Sequence, residues 1–181
     1  MRLIGTLFKG VHLIFHPRLA LSADQIKKFN EGDDRYGAIE AINLDKVGTP
    51  PVLRKIIHRM NKLKRDTTTT MFLICSPQLM AENEFLVAAL IALADKGILR
   101  SVMIDEIHLW YKDGISFRGD IRMLKATFFE PLYTTRNPPY NRDFKLLFGG
   151  FTATMSLTGL NSVSSLTTIG FPEDQRVWSS A

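Results

Sequence analysis

The stretch Leu99-Arg100-Ser101-Val102-Met103-Ile104-Asp105-Glu106-Ile107-His108 decides the fold. Its first six residues are mostly apolar and have the length of a buried strand. Two carboxylates follow at once. An apolar strand that delivers paired acids at its end is how α/β nucleotide hydrolases hold magnesium and a catalytic base. The aspartate orients the water shell of the metal, and the glutamate positions and deprotonates an attacking water. Ligands of open α/β sheets bind outside the carboxyl ends of strands, so the placement suits that chemistry. Taken alone, the pair is equally compatible with a chance Asp-Glu in a loop behind a buried strand.

Outward from this stretch, apolar runs alternate with amphipathic ones, which predicts an α/β layer fold with a mainly parallel sheet and helices on both faces. Upstream, residues 84–96 read as a helix stopped by Gly97, so apolar that it should lie buried on the sheet. Residues 71–75 read as a strand, with the threonine run 67–70 as the loop before it and Ser76-Pro77 as a helix start after it. Thr49-Pro50 opens a clear helix, with threonine as N-cap and proline in the first turn. Val52, Leu53, Ile56, Ile57, Met60 and Leu63 form its apolar face. Arg54, Lys55, Arg59, Lys62, Lys64 and Arg65 form the rest, as a solvated face or a phosphate-contacting one. Further upstream, strands are predicted at 11–15 and 38–44. The helix between them, at 22–31, has capping-box spacing at Ser22 and Gln25 and a stop at Gly32. Downstream, a helix is expected over 120–132, an irregular loop over 134–143 and a strand over 144–148, extending through Gly149-Gly150 towards Thr152. The Ser-, Thr- and Gly-rich tail carries few signals of order. Residues 1–181 read as one domain.

Composition limits the function classes. The hydrophobic fraction of 45% and charged fraction of 23% are those of a soluble globular protein. The net charge of +5 permits a polyanionic partner without demanding one. One cysteine, Cys75, excludes an intrachain disulfide and suits a reducing compartment. It reads as a buried strand residue rather than a nucleophile. No segment reads as a signal peptide, and the longest apolar run, 85–94, is too short for a bilayer. The expectation is a soluble intracellular protein with no membrane contact.

The residues after the acidic pair narrow the reading. Asp105-Glu106-Ile107-His108 resembles the Asp-Glu-x-His motif of superfamily 2 (DEAD/DEAH-box type) helicases. The following segment is similar to the aromatic-rich loop of RecQ-like DNA helicases, with Gly114, Phe117 and Arg118 at family spacing and Trp110 and Tyr111 keeping its aromatic character. Asp113 stands where the family has tryptophan, and Ile115 where it has histidine. Pro17 through Gln25 resembles the Pro-Leu-x-Ser-Leu-x-x-Asp-Gln segment. Ser76-Pro77-Gln78-Leu79 resembles Ser-Pro-Glu-Arg-Leu, without its arginine, and Thr152-Ala153-Thr154 matches the Thr-Ala-Thr motif. These segments fall in family order over most of the chain.

The resemblance implies a RecA-like P-loop NTPase domain that hydrolyses ATP with Mg²⁺ to separate DNA strands. Asp105, Glu106, His108, Thr152 and Thr154 are then the catalytic set, with Asp105 (through water) and Glu106 at the metal. Pro17, Gln25, Ser76, Pro77, Trp110, Gly114, Phe117 and Arg118 are the expected contacts to single-stranded or forked DNA. Aromatic faces suit unpaired bases, and a helix N-terminus suits phosphate. In a eukaryote this implies a nuclear protein. The sequence holds no Gly-x-x-x-x-Gly-Lys-Ser/Thr phosphate loop. Gly5 and Gly10 have the glycine spacing, but Val11-His12 and a strand follow them. No second motor domain is expected within 1–181. The chain is therefore expected to be an incomplete motor domain, catalytically incompetent alone and marginally stable, with unpaired strand edges and exposed apolar surface. The alternatives are a non-catalytic nucleic-acid- or partner-binding module and, less in keeping with four histidines that lack ligand spacing, an unrelated metal-dependent hydrolase.

Overall fold

The structure, a computed structural model, describes residues 8–16, 26, 27, 30, 39–47, 50–64, 66–112, 118–132, 146–152 and 156–167. Five strands form one sheet: β1 (Gly10–Phe15), β2 (Ile39–Asn43), β3 (Thr70–Cys75), β4 (Leu99–Ile104) and β5 (Leu147–Gly150). The order is β2-β3-β1-β4-β5 and every pairing is parallel. Helices lie on both faces of the sheet. They are α1 (Pro50–Asn61), α2 (Pro77–Glu82), α3 (Glu84–Asp95), α4 (Ile107–Lys112), α5 (Arg118–Leu124) and α6 (Leu157–Thr167). A π-helical turn, Lys125–Phe129, continues α5 and buries both Phe128 and Phe129.

The three central strands are apolar because both their faces are covered, as a parallel sheet requires. On one face, Val11, Leu13 and Phe15 join Met71, Leu73, Cys75, Val102 and Ile104 beneath α3 and the π-turn. On the other, Ile14, Ala41, Phe72, Ile74 and Met103 form a smaller cluster, with Ile26 packed against it. The nearly all-apolar α3 buries Leu86, Val87, Ala89, Leu90, Leu93 and Ala94. Cys75 is fully buried, and burial pushes its thiol pKa well above the ordinary value, so it is a core residue and not a nucleophile. Gly10 opens β1 at φ +136°, where a Cβ would meet the Ile98 carbonyl at 2.5 Å. The residue after it continues as strand, so the Gly5/Gly10 spacing is no phosphate loop.

Two elements depart from expectation. The first half of the expected aromatic loop is a helix, α4. The tail expected to lack order contains α6, capped by the Ser156 hydroxyl accepting from Gly159 N–H at 3.1 Å. Val163 and Thr167 are buried on α6, which packs on α4 and α5. The last strand is described from Leu147, and residues 144 and 145 of its expected start lie outside the described residues.

The sheet edges differ. At β2, the Asn30 side-chain amide accepts from Ala41 N–H at 2.7 Å and donates to Ala41 O at 3.3 Å, copying a strand's hydrogen bonds. Arg59 of α1 forks onto Glu40 of the same strand, which raises the arginine pKa above its usual value. At β5, Leu147 and the following Phe151 are 44% and 40% exposed, and no strand pairs with its outer side among the described residues.

Beyond β2, Asp45 reaches across to the end of β3. Its carboxylate accepts from Ser76 N–H at 2.7 Å and from the Ser76 hydroxyl at 2.6 Å. The Ser76 oxygen in turn accepts from Leu79 N–H at 3.1 Å and caps α2. Charge-assisted bonds of this kind are worth more than neutral ones. Asp45→Ala is expected to lower stability by about 2 kcal/mol in denaturant unfolding, and a loss within error of zero would show that water replaces the carboxylate.

Candidate functional site

The acidic pair sits where the winding of the sheet reverses. Beyond β1 the chain leaves towards β2, whereas beyond β4 it leaves towards β5 on the other side. These two strands are neighbours, so their carboxyl ends flank a crevice of the kind in which open α/β sheets bind ligands. His16 follows β1 and Asp105 follows β4. Their side chains meet, His16 Nε2 to Asp105 Oδ2 at 3.4 Å, and the Asp105 N–H donates to Phe15 O at 2.9 Å.

Glu106 makes the turn from β4 into α4. Its φ of +49° is the left-handed conformation, the only such value at a non-glycine among the described residues. A side chain with a Cβ is disfavoured there, so the turn stores local strain at the second acid. Glu106 N–H donates to Asp105 Oδ1 at 3.1 Å, and Leu109 N–H returns to Glu106 O at 2.8 Å, which fixes the turn at both ends.

Two residues further on, His108 joins this acid to the segment that follows β5. Its Nδ1 lies 3.2 Å from Glu106 Oε2 and 2.8 Å from Thr152 Oγ1. A carboxylate oxygen only accepts, so the proton belongs on Nδ1, forked between the two oxygens. Thr152 is held in place by the backbone before it. Phe151 N–H donates to Ile104 O and Ile107 N–H donates to Phe151 O, both at 2.9 Å. Gly150 lets Ile107 pack closely at this junction: a Cβ there would meet Ile107 Cδ1 at 2.5 Å and that side chain would have to shift.

The structure thus brings together Asp105, Glu106, His108 and Thr152 of the expected catalytic set, and adds His16, which the sequence offers only as the residue that ends a strand. No group of three or more His, Cys, Asp or Glu side chains is arranged as a metal cage among the described residues. A water-held magnesium ion asks for less, since one or two carboxylates suffice.

The expected DNA contacts fare differently. Ser76 commits its N–H and hydroxyl to Asp45, and Pro77 is buried at the first turn of α2. Trp110 is 2% exposed and meets Phe15 and Phe129 at ring-centroid distances of 5.5 and 6.2 Å. Its faces belong to the core, so stacking of a base on Trp110 does not accord with this fold. Its Nε1–H is the one buried side-chain polar atom without a hydrogen-bond partner among the described residues. The backbone of Arg118 opens α5. Pro17, Gln25, Gly114, Phe117 and Thr154 lie outside the described residues, as does the helix expected from Ser22, apart from positions 26, 27 and 30.

No known protein-family model matches the chain.

Proposed function

We propose that the chain is the core of the first motor domain of a RecQ-like DNA helicase, an enzyme that couples ATP hydrolysis to the separation of DNA strands. The observation that carries this reading is the His108 bridge. It joins Glu106 to Thr152, residues from two motifs that lie far apart in sequence and directly behind the neighbouring parallel strands β4 and β5. In the proposed site Asp105 would hold the water shell of Mg²⁺ and Glu106 would orient the attacking water. His108 keeps the Glu106 carboxylate in register with Thr152, so that a change at one is felt by the other. Magnesium would supply charge neutralisation at the phosphates. The partner is single-stranded or forked DNA, and the location intracellular, nuclear in a eukaryote. No helix among the described residues is long and apolar enough to cross a membrane.

ATP itself asks for backbone amides and a lysine of a phosphate loop, and the sequence holds no such motif. That observation favours a second reading for this chain by itself: a nucleic-acid-binding module without turnover. Binding of a fluorescent oligothymidylate and DNA-stimulated ATP hydrolysis test both. The expected result is salt-sensitive binding, with turnover at background in the wild type and in Glu106→Gln. A DNA-stimulated activity that Glu106→Gln abolishes would overturn the expected incompetence and keep the residue roles. A wild type that binds no DNA at low salt would remove both readings.

A further inference from the structure

A second feature shares no residue with the acidic pair. Between α1 and the first turn of α3 lies an open cleft of about 360 Å³, lined by Arg54, Ile57, His58, Asn61 and Phe85. Phe85 is 81% exposed, more than any other large apolar side chain among the described residues. The apolar face of α3 that packs into the core is Leu86, Val87, Ala89, Leu90, Leu93 and Ala94, so Phe85 stands outside what the fold needs.

One cation, Arg54, lines the cleft. Helix α1 contains Arg54, Lys55 and Arg59 and no acid. Arg59 is tied to Glu40, whereas Arg54, Lys55, Lys62 and Lys64 have no ion-pair partner among the described residues. Arg54, Lys55, His58 and Lys62 are exposed, while Ile56 and Met60 turn to the core. The acids nearest Phe85 in sequence, Glu82 and Glu84, do not line the cleft, and Glu82 accepts from Gln78 at 2.9 Å. A free aromatic face beside Ile57, with the unpaired cation of Arg54 and the amide of Asn61 next to it, matches a ligand that carries a flat ring and negative charge. An acidic peptide would answer the charge but not the exposed ring.

We propose that this cleft is a single-stranded nucleic-acid contact, in which a base stacks on Phe85 and the adjoining phosphate lies on Arg54. The inference deepens the nucleic-acid reading above and rests on it. Stacking on an aromatic side chain is sequence-tolerant, and phosphate neutralisation makes such binding depend on salt.

The test is fluorescence anisotropy of a labelled oligothymidylate on the full chain. Phe85→Ala is expected to weaken binding roughly tenfold, and Phe85→Trp to preserve it. Arg54→Gln is expected to lower the slope of log affinity against log salt by about 0.7. Phe85 is exposed, so its replacement should leave the circular dichroism spectrum unchanged. Wild-type binding that neither variant alters would overturn this inference and leave the helicase reading intact. Failure of the wild type to bind would remove both. Tighter binding of a polyglutamate peptide, lost in Arg54→Gln, would make the cleft a protein-docking site and overturn the proposal.

Discussion

Phe15→Ala is expected to cost the folded chain about 3–5 kcal/mol, close to the whole stability of a marginal domain. Phe15 ends the central strand, is 0% exposed and touches Trp110, Phe128 and Phe129 at ring-centroid distances of 5.5–6.0 Å. Truncation removes the transfer energy of the ring and leaves a cavity beneath the π-turn, where three other rings are too large to slide in. The effect should reach the site as well, because the Phe15 carbonyl holds the Asp105 amide. Phe15→Leu keeps much of the volume and should cost well under half as much. Denaturant unfolding of both variants is the measurement. A loss below about 1 kcal/mol for the alanine variant would show that this region repacks freely, contrary to the close packing described here.

Acid should weaken the fold through His12. This imidazole is fully buried in β1, stacked on Phe72, with Nε2 2.8 Å from Phe8 O and Nδ1 2.8 Å from Ser101 Oγ. The carbonyl can only accept, so Nε2 carries the proton of the neutral ring and Nδ1 accepts from the serine hydroxyl. Burial lowers the pKa from 6.5 to about 4; the Phe8 carbonyl acts in the opposite direction, and the Arg100 cation adds to the lowering. The unfolded chain therefore takes up this proton first. The stability contributed by the neutral ring is fully present above pH 6.5, falls as the pH drops towards 4 and is lost below it. The whole change is about 3 kcal/mol. His12→Gln keeps a polar side chain that does not titrate, so the difference in pH slope between wild type and variant isolates this group from the carboxylates. Equal slopes for the two proteins between pH 7 and 4.5 would contradict the assignment.

The strands and the buried helix were legible because their signals are local. β1, β3 and β4 are short apolar runs bounded by turn residues, and α3 is apolar over three turns. The acidic pair was legible for the same reason, standing directly behind its strand. What the sequence could not disclose depends on contacts made across the fold. His12 looks like an interruption of an apolar strand until Ser101, on the neighbouring strand, supplies its partner. His16 looks like a strand terminator until β1 and β4 are laid side by side and Asp105 comes within reach. Helix α4 is six residues long, too short for a period to emerge. In α6 the spacing of Leu157, Leu160 and Val163 is helical, but serine, threonine and glycine lower the local preference, and packing on α4 and α5 decides the outcome. Trp110 misled in the other direction: an aromatic beside an acidic motif suits a base-stacking surface, yet at i+3 from Ile107 it points to the same interior.

The asymmetry of the sheet edges gives the molecule a direction. Ala41 of β2 is bonded on its outer side by the Asn30 amide, whereas no strand among the described residues pairs with the outer side of β5. A strand added beside β5 would lie one strand away from β4, whose end carries Asp105 and Glu106. The edge strand is tied to that end of the sheet through Phe151, which bonds the backbone of Ile104 and Ile107, and through Thr152, which meets His108.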